Sequence, residues 1–193
     1  ILSSTWARLA VIFLAYGICF CVLLPRPVSG LHITCLDVGQ GDGFVMECEG
    51  GTVLVDGGSS SRSGLGEMCM KPFLESRAVS VVDYAVVSHG DEDHTSGLAE
   101  LLEQDPDLTV KCLVLPRMGR DREEYEQLVK LAEKRDCQVM YMGQGDVIIL
   151  GRLRLECLYA GDPEKAWEED KNRHSLVVKA EYGQFQMLFT GDM

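Results

Sequence analysis

Residues 81–94 constrain this chain more than any other stretch. Val81, Val82, Tyr84, Ala85, Val86 and Val87 form an apolar run that reads as a buried strand. The run ends on Ser88-His89-Gly90-Asp91-Glu92-Asp93-His94, where His89 to His94 holds five potential metal ligands in six positions. Thr95-Ser96-Gly97 then opens an amphipathic helix with Leu98, Leu101 and Leu102 on one face. A strand that hands over to a helix through a polar turn belongs to an α/β sheet, which gathers its chemistry at the carboxyl ends of its strands.

Imidazoles and carboxylates at these spacings cannot all point one way on a regular helix or strand, whereas a tight loop can fold them around two adjacent ions. On that reading His89 and Asp91 serve one ion, Asp93 and His94 serve the other, and Asp93 and His94 carry the reaction. Two divalent ions held ~3.5–4 Å apart activate a shared water and stabilise both attacking and leaving oxygens of an in-line displacement. This is hydrolase chemistry. A merely solvated acidic turn would not explain why an apolar strand delivers His89, when His32 and His174 are the only histidines outside the cluster.

Upstream, Leu31, Ile33 and Cys35 alternate with His32 and Thr34 at the strand period, and Phe44–Cys48 and Thr52–Val55 follow as strands around a Gly50-Gly51 turn. The connection Asp37-Val38-Gly39-Gln40-Gly41-Asp42-Gly43 is rich in glycine, so its backbone can approach a ligand closely. Asp37 and Asp42 there read equally as ligand-facing groups or as turn aspartates. Asp56 ends the next strand ahead of Gly57-Gly58, either as a turn residue or as the carboxylate that holds a metal-bound histidine in one tautomer.

Downstream, Met68–Ser76 reads as a short helix limited by Pro72. Asp121 reads as the cap of a helix with Glu124 in the capping-box position and Tyr125, Leu128, Val129 and Ala132 on its buried face. Further strands fall at 110–115, 139–142, 147–150, 153–158, 175–180 and 185–189. The eight cysteines include no C-x-x-C pair and read as small buried hydrophobes, with a Cys35–Cys48 disulfide left open for an oxidising compartment.

Leu9 to Leu24 is a run of sixteen uncharged residues between Arg8 and Pro25-Arg26-Pro27. As a helix it rises roughly 24 Å, and counted from Trp6 it approaches the ~20 residues of a bilayer span. Length and flanks favour a membrane-spanning helix over a cleaved signal peptide. The division is therefore residues 1–27 as that helix with its flanks and 28–193 as one domain. The net charge of −12 excludes a generally basic nucleic-acid binder. A polyanionic substrate would need metal ions or a local basic patch, and Arg117, Arg120, Arg122, Lys171 and Arg173 offer one.

His89-x-Asp91-x-Asp93-His94 resembles the H-x-H-x-D-H signature of the metallo-β-lactamase fold, with Asp91 in place of the second histidine. Together with Leu36-Asp37-Val38-Gly39-Gln40-Gly41-Asp42, Val55-Asp56-Gly57-Gly58, Asn172-x-x-Ser175-Leu176 and Phe189-Thr190-Gly191-Asp192, the pattern resembles the ComEC family of DNA-uptake proteins. The resemblance implies an α/β fold, a metallo-β-lactamase-like αββα sandwich left incomplete at Met193, preceded by one membrane-spanning helix. It implies a domain on the extracytoplasmic face of the cell membrane that degrades DNA, with single-stranded DNA as substrate and other competence proteins as partners. It maps His89 and Asp91 to one metal, Asp93 and His94 to the other, and Asp192 to the bridging carboxylate, with Asp37, Asp42, Asp56, Asn172 and Ser175 around them. Two divalent ions are implied, and the carboxylate at Asp91 makes Mn²⁺ or Mg²⁺ as suitable as Zn²⁺. The histidine that many relatives place before the bridging aspartate has no clear counterpart, and His174 reads as a loop or strand-edge residue. The last metal-binding histidine is expected beyond Met193. The competing functions are a non-catalytic DNA-guiding channel module and a hydrolase of small esters or thioesters.

Overall fold

The computed structural model describes residues 4–23, 28–161 and 174–193. Among the described residues a helix, α1 (Ser4–Leu23), precedes ten strands and three further α-helices. Strands β1 (His32–Cys35), β2 (Phe44–Cys48), β3 (Gly51–Val55), β4 (Val81–Val86), β5 (Thr109–Pro116) and β6 (Gln138–Met142) form one sheet in that spatial order. The first three strands pair antiparallel, and β3 to β6 pair parallel. A second, antiparallel sheet runs β10 (Phe185–Phe189), β9 (Leu176–Tyr182), β8 (Leu153–Ala160), β7 (Val147–Leu150).

Alternation along the strands of the first sheet separates two cores. Val45, Leu54, Ala85, Leu113 and Leu115 face the helices α2 (Lys71–Ser76), α3 (Glu92–Gln104) and α4 (Glu123–Lys134), meeting Met70, Leu98, Leu101, Tyr125, Leu128 and Ala132. Their neighbours Met46, Val53, Val55, Val86, Cys112 and Val114 face the second sheet and meet Leu153, Leu155, Leu176, Val178 and Phe189. One sheet thus serves two apolar layers, because successive side chains leave a strand on opposite faces. Each fully buried Leu, Met or Val contributes about 1.5–3 kcal/mol. Among the described residues the layers are helix, sheet, sheet.

Four local expectations need correction. The helix after the ligand cluster begins at Glu92 and not at Thr95, so Asp93 and His94 sit in its first turn while His89 to Asp91 remain in the loop. Glu92 and Asp93 suit that position, since carboxylates stabilise a helix amino terminus. Asp121 does not cap α4: Arg122 holds the cap position, and Asp121 lies in the left-handed region at φ 62°. The helix after the serine-rich loop is preceded by a π-helical turn, Gly66–Met70, and Pro72 is accepted because it falls in the first turn of α2, where its missing N–H has no helical partner. Cys35 and Cys48 are free thiols: β1–β2 register sets Cys35 opposite Phe44, four residues along the strand from Cys48, beyond disulfide reach.

Helix α1 carries only exposed side chains over residues 5–20. Among the described residues no helix is long and apolar enough to cross a membrane.

Candidate metal centre

The parallel strands end on one rim, and the ligand-bearing residues start there. In register, Val55 of β3 lies beside Val86 of β4, so Asp56 and the 87–89 segment leave the sheet side by side. Asp56 adopts φ 53°, turning the chain sharply, and its N–H donates to the Val86 carbonyl at 2.8 Å. Its carboxylate is then buried between two donors: Oδ1 accepts from the Ser88 N–H at 2.7 Å, and Oδ2 lies 3.1 Å from His94 Nδ1. Burying a carboxylate is costly unless such donors satisfy it.

His94 is 1% exposed. Burial pulls its pKa down, but the hydrogen bond to Asp56 and the charges of Asp56, Asp192 and Asp93 prevail and carry it to about 9. Its Nε2 faces Asp192 Oδ1 at 3.2 Å. His89 behaves oppositely: burial and the neighbouring His94 hold its pKa below the ordinary value. The Ser88 hydroxyl reaches both rings, 3.0 Å from His89 Nδ1 and 3.3 Å from His94 Nδ1. With Nδ1 so engaged, each histidine presents Nε2 to the same space, and the ring centroids stand 4.0 Å apart.

That space has the donors of a cation site. Among the described residues His89 Nε2 is buried with no hydrogen-bond partner, while Asp91 Oδ2 and Asp192 Oδ2 lie 3.7 and 4.0 Å from it. Ligand atoms of His89, Asp93 and His94 lie within 4.8 Å of one another, and those of Asp42, Asp56 and His94 do likewise. A buried imidazole nitrogen with no partner, ringed by carboxylates, fits divalent ions with mixed nitrogen and oxygen ligation. Asp93 is near both histidines, so the sequence's division into a His89/Asp91 half and an Asp93/His94 half is not sharply drawn.

The glycine-rich loop closes the site from the other side. The Asp42 N–H donates to the Asp93 carbonyl at 3.1 Å, and the Gly58 N–H donates to the Asp42 carbonyl at 3.1 Å. A Cβ on Gly41 or Gly58 would lie 2.4 Å from backbone oxygens, so these glycines permit the close approach. Burial raises the Asp42 pKa against the pull of His94, and Asp56, Asp192 and Asp93 raise it further. Asp37 is elsewhere: its exposed carboxylate pairs with Arg62 at 3.3 Å. Ser175 is fully buried against the Gly191 turn that carries Asp192. His174 is buried and lies two residues before β9, at a strand edge. Asn172, with Lys171 and Arg173, lies outside the described residues.

Ser88 escaped the sequence reading as a contributor, whereas Asp42 was read there as either a ligand-facing group or a turn aspartate. Ser88 bonds both histidines, and its only sequence signal was its place directly before His89. Asp42 comes within ligand distance of His94 from 52 residues away in the chain, and only the glycine pattern around it pointed to the loop.

The model of the Metallo-beta-lactamase superfamily matches residues 36–193. The chain belongs to this superfamily. Within the superfamily it is similar to ComE operon protein 3 of Bacillus subtilis, at 30% identity over 196 residues, covering 92% of this chain and 24% of that protein. It is also similar to Recombination protein 2 of Haemophilus influenzae, at 29% identity over 191 residues, covering 96% and 22%. These relatives support the ComEC resemblance, and the chain spans about a quarter of their length. Among solved structures, the metallo-beta-lactamase fold protein YhfI from Bacillus subtilis superposes with a TM-score of 0.55 at 14% identity, covering 83% of this chain and 62% of that one. CmlA, a diiron beta-hydroxylase from Streptomyces venezuelae, superposes with a TM-score of 0.51 at 16% identity, covering 86% and 30%. Both share the fold of the superfamily.

Proposed function

We propose that this superfamily member is the metal-dependent, DNA-degrading domain of a membrane DNA-uptake protein. The observation that carries the reading is the placement of Asp192 between His94 Nε2 and the buried, unpartnered His89 Nε2, with Asp91 and Asp93 alongside. Divalent ions bound by His89, Asp91, Asp93, His94 and Asp192 supply Lewis acidity toward phosphoryl oxygens and a water of lowered pKa. The chain's own residues prepare that site. Asp56 takes the Nδ1 proton of His94 as a hydrogen bond and so leaves Nε2 as the ligating atom. The Ser88 hydroxyl does the same for His89 Nδ1. Asp192 holds the proton on His94 Nε2 until an ion takes its place. Asp42 adds a fifth nearby carboxylate to Asp56, Asp91, Asp93 and Asp192, and an oxygen-rich donor set suits hard ions and a phosphate substrate.

The membrane attachment belongs to the same proposal. Trp6, Val11, Phe13, Leu14, Tyr16 and Phe20 of α1 are all well exposed, and an apolar helix needs an apolar surrounding. Ser4–Leu23 rises about 30 Å but falls short of an apolar span among the described residues, so the attachment proposed is of this helix to the membrane. The soluble domain then lies on the extracytoplasmic side, with single-stranded DNA as substrate and further competence proteins as partners.

The test is a nuclease assay on the complete protein with Mn²⁺, Mg²⁺ or Zn²⁺. Metal-dependent cleavage that is lost in Asp93→Ala, with DNA binding retained, supports the proposal. Failure of the intact protein to cleave DNA with any of these ions would sink it.

A further inference from the structure

Beside the metal centre, the same rim continues into a second feature. β4, β5 and β6 are parallel neighbours, so the residues after them emerge in a row: His89 after β4, Arg117 after β5, Gly143 after β6. Tyr141 is in register with Leu115 of β5, two strands from β4, which at ~4.8 Å per strand places it ~10 Å across the sheet. Between the end of β6 and the start of α4 lies an open cleft of about 510 Å³, lined by Gly119, Arg122, Glu123, Tyr125, Glu126 and Tyr141 among others. The exposed Arg120 guanidinium caps the Tyr141 ring at 4.6 Å from its centroid.

The cleft and the metal loop share a wall. The Tyr125 ring is wedged between Gly90 and Gly119: a Cβ on Gly119 would meet it at 2.5 Å, and one on Gly90 would meet its Cζ at 3.4 Å. Gly90 lies between His89 and Asp91, so whatever occupies the cleft sits one side chain away from the metal ligands.

We infer that this cleft is a nucleobase subsite for a nucleotide next to the scissile phosphate, an inference that rests on the DNA-degrading reading. The Arg120–Tyr141 pair offers a planar cation and a ring, the groups on which unpaired bases stack in single-stranded recognition. Asp121 and Glu123 in the lining offset Arg122, and Glu126 is paired with Lys130, so the cleft has no net cationic pull and the phosphate stays with the metals. Carboxylates accept hydrogen bonds from the exocyclic amines of cytosine and adenine, which thymine lacks. Only a base released from its pair can enter, so the subsite selects single strands and favours cytosine and adenine over thymine.

The test separates binding from cleavage. Fluorescence anisotropy in EDTA would give dissociation constants of the full chain for labelled oligo-dC and oligo-dT of eight nucleotides, and the metal-loaded complete protein would be assayed for cleavage of both. Arg120→Gln and Tyr141→Leu are expected to weaken oligo-dC binding about ten-fold, on the scale of losing one base stack. Glu123→Gln, at an exposed carboxylate of the lining, should narrow the preference for dC over dT. Cleavage should show the loss of Arg120 or Tyr141 in KM and not in kcat, with metal stoichiometry unchanged. If the wild-type chain binds but does not cleave, and binding still depends on Arg120 and Tyr141, the nuclease reading falls and the subsite stands. If cleavage is intact and all three variants bind and discriminate as wild type, the subsite falls and the nuclease reading stands. Absence of any oligonucleotide binding overturns the subsite.

Discussion

Replacing Asp56 with asparagine tests the electrostatic logic of the centre directly. In the ion-free protein His94 has a pKa of about 9 against an ordinary 6.5. A histidine with a raised folded pKa contributes stability that is complete below pH 6.5 and is lost as pH climbs through 9. At 1.36 kcal/mol per unit the contribution is about 3 kcal/mol at most, because Asp56 and His94 are buried while Asp192, which also raises the value, is part-exposed and screened. Asp56→Asn removes the charge and leaves one of its two donors, the Ser88 N–H or the His94 Nδ1–H, facing an amide N–H₂. His94 should then titrate below its wild-type value, since the hydrogen bond and charge of Asp56 are the largest of the causes that raise it, while Asp192 and Asp93 remain. The variant should be about 3–5 kcal/mol less stable than wild type at pH 6, the cost of breaking a buried charged pair. By pH 10 the gap should shrink by about 2–3 kcal/mol, because the wild type has lost its imidazolium. Urea unfolding in EDTA from pH 6 to 10 measures the gap, and the imidazole proton shifts of His94 report its titration. A gap constant with pH, or a wild-type His94 titrating at or below 6.5, would refute the reasoning.

Three further outcomes are expected. Loading the wild-type chain with a divalent ion at pH 7.5 should release about one proton from His94, seen by calorimetry in buffers of different ionisation enthalpy; no release would mean that the ion does not take the Nε2 position. Gly191→Ala should cost about 1–2 kcal/mol for its left-handed φ of 53° and weaken ion binding about ten-fold, because the new Cβ would stand 2.9 Å from Ser88 Cβ and Oγ and push Asp192 outward. Unchanged ion affinity would free Asp192 from the site. Tyr125→Phe removes a buried hydroxyl that stands against the Gly90 backbone without a well-formed hydrogen bond among the described residues, so the melting temperature should change little; a loss above about 1 kcal/mol would show that this contact is a full hydrogen bond.

Most of the strands were legible because the first sheet's residues obey a period of two so strictly that Val45 and Met46, or Leu54 and Val55, face different cores. The ligand cluster was legible because five ligands in six positions are rare on any other ground. Helix starts were less legible. The Asp91 backbone, and not its side chain, sets the start of α3, since it makes no side-chain cap. Asp121 was misplaced because a cap and a left-handed turn favour the same residue type. The Cys35–Cys48 pairing failed on register, which two strands acquire only from each other.

The sequence by itself determined which residues could bind ions and which strand delivers them, since ligand chemistry and hydrophobic period are local properties of the chain. Its motif set also pointed to the ComEC resemblance that the relatives support. Only the tertiary structure decided which candidate ligands stand close together, because that depends on distances between distant segments. It set Asp42 and Asp56 around His94 and Asp192 between the two histidines, and it put Tyr125 against Gly90. Parallel pairing of β3 to β6 is the physical reason: strands that run the same way must end together, and their ends bring to one rim residues that the sequence keeps far apart.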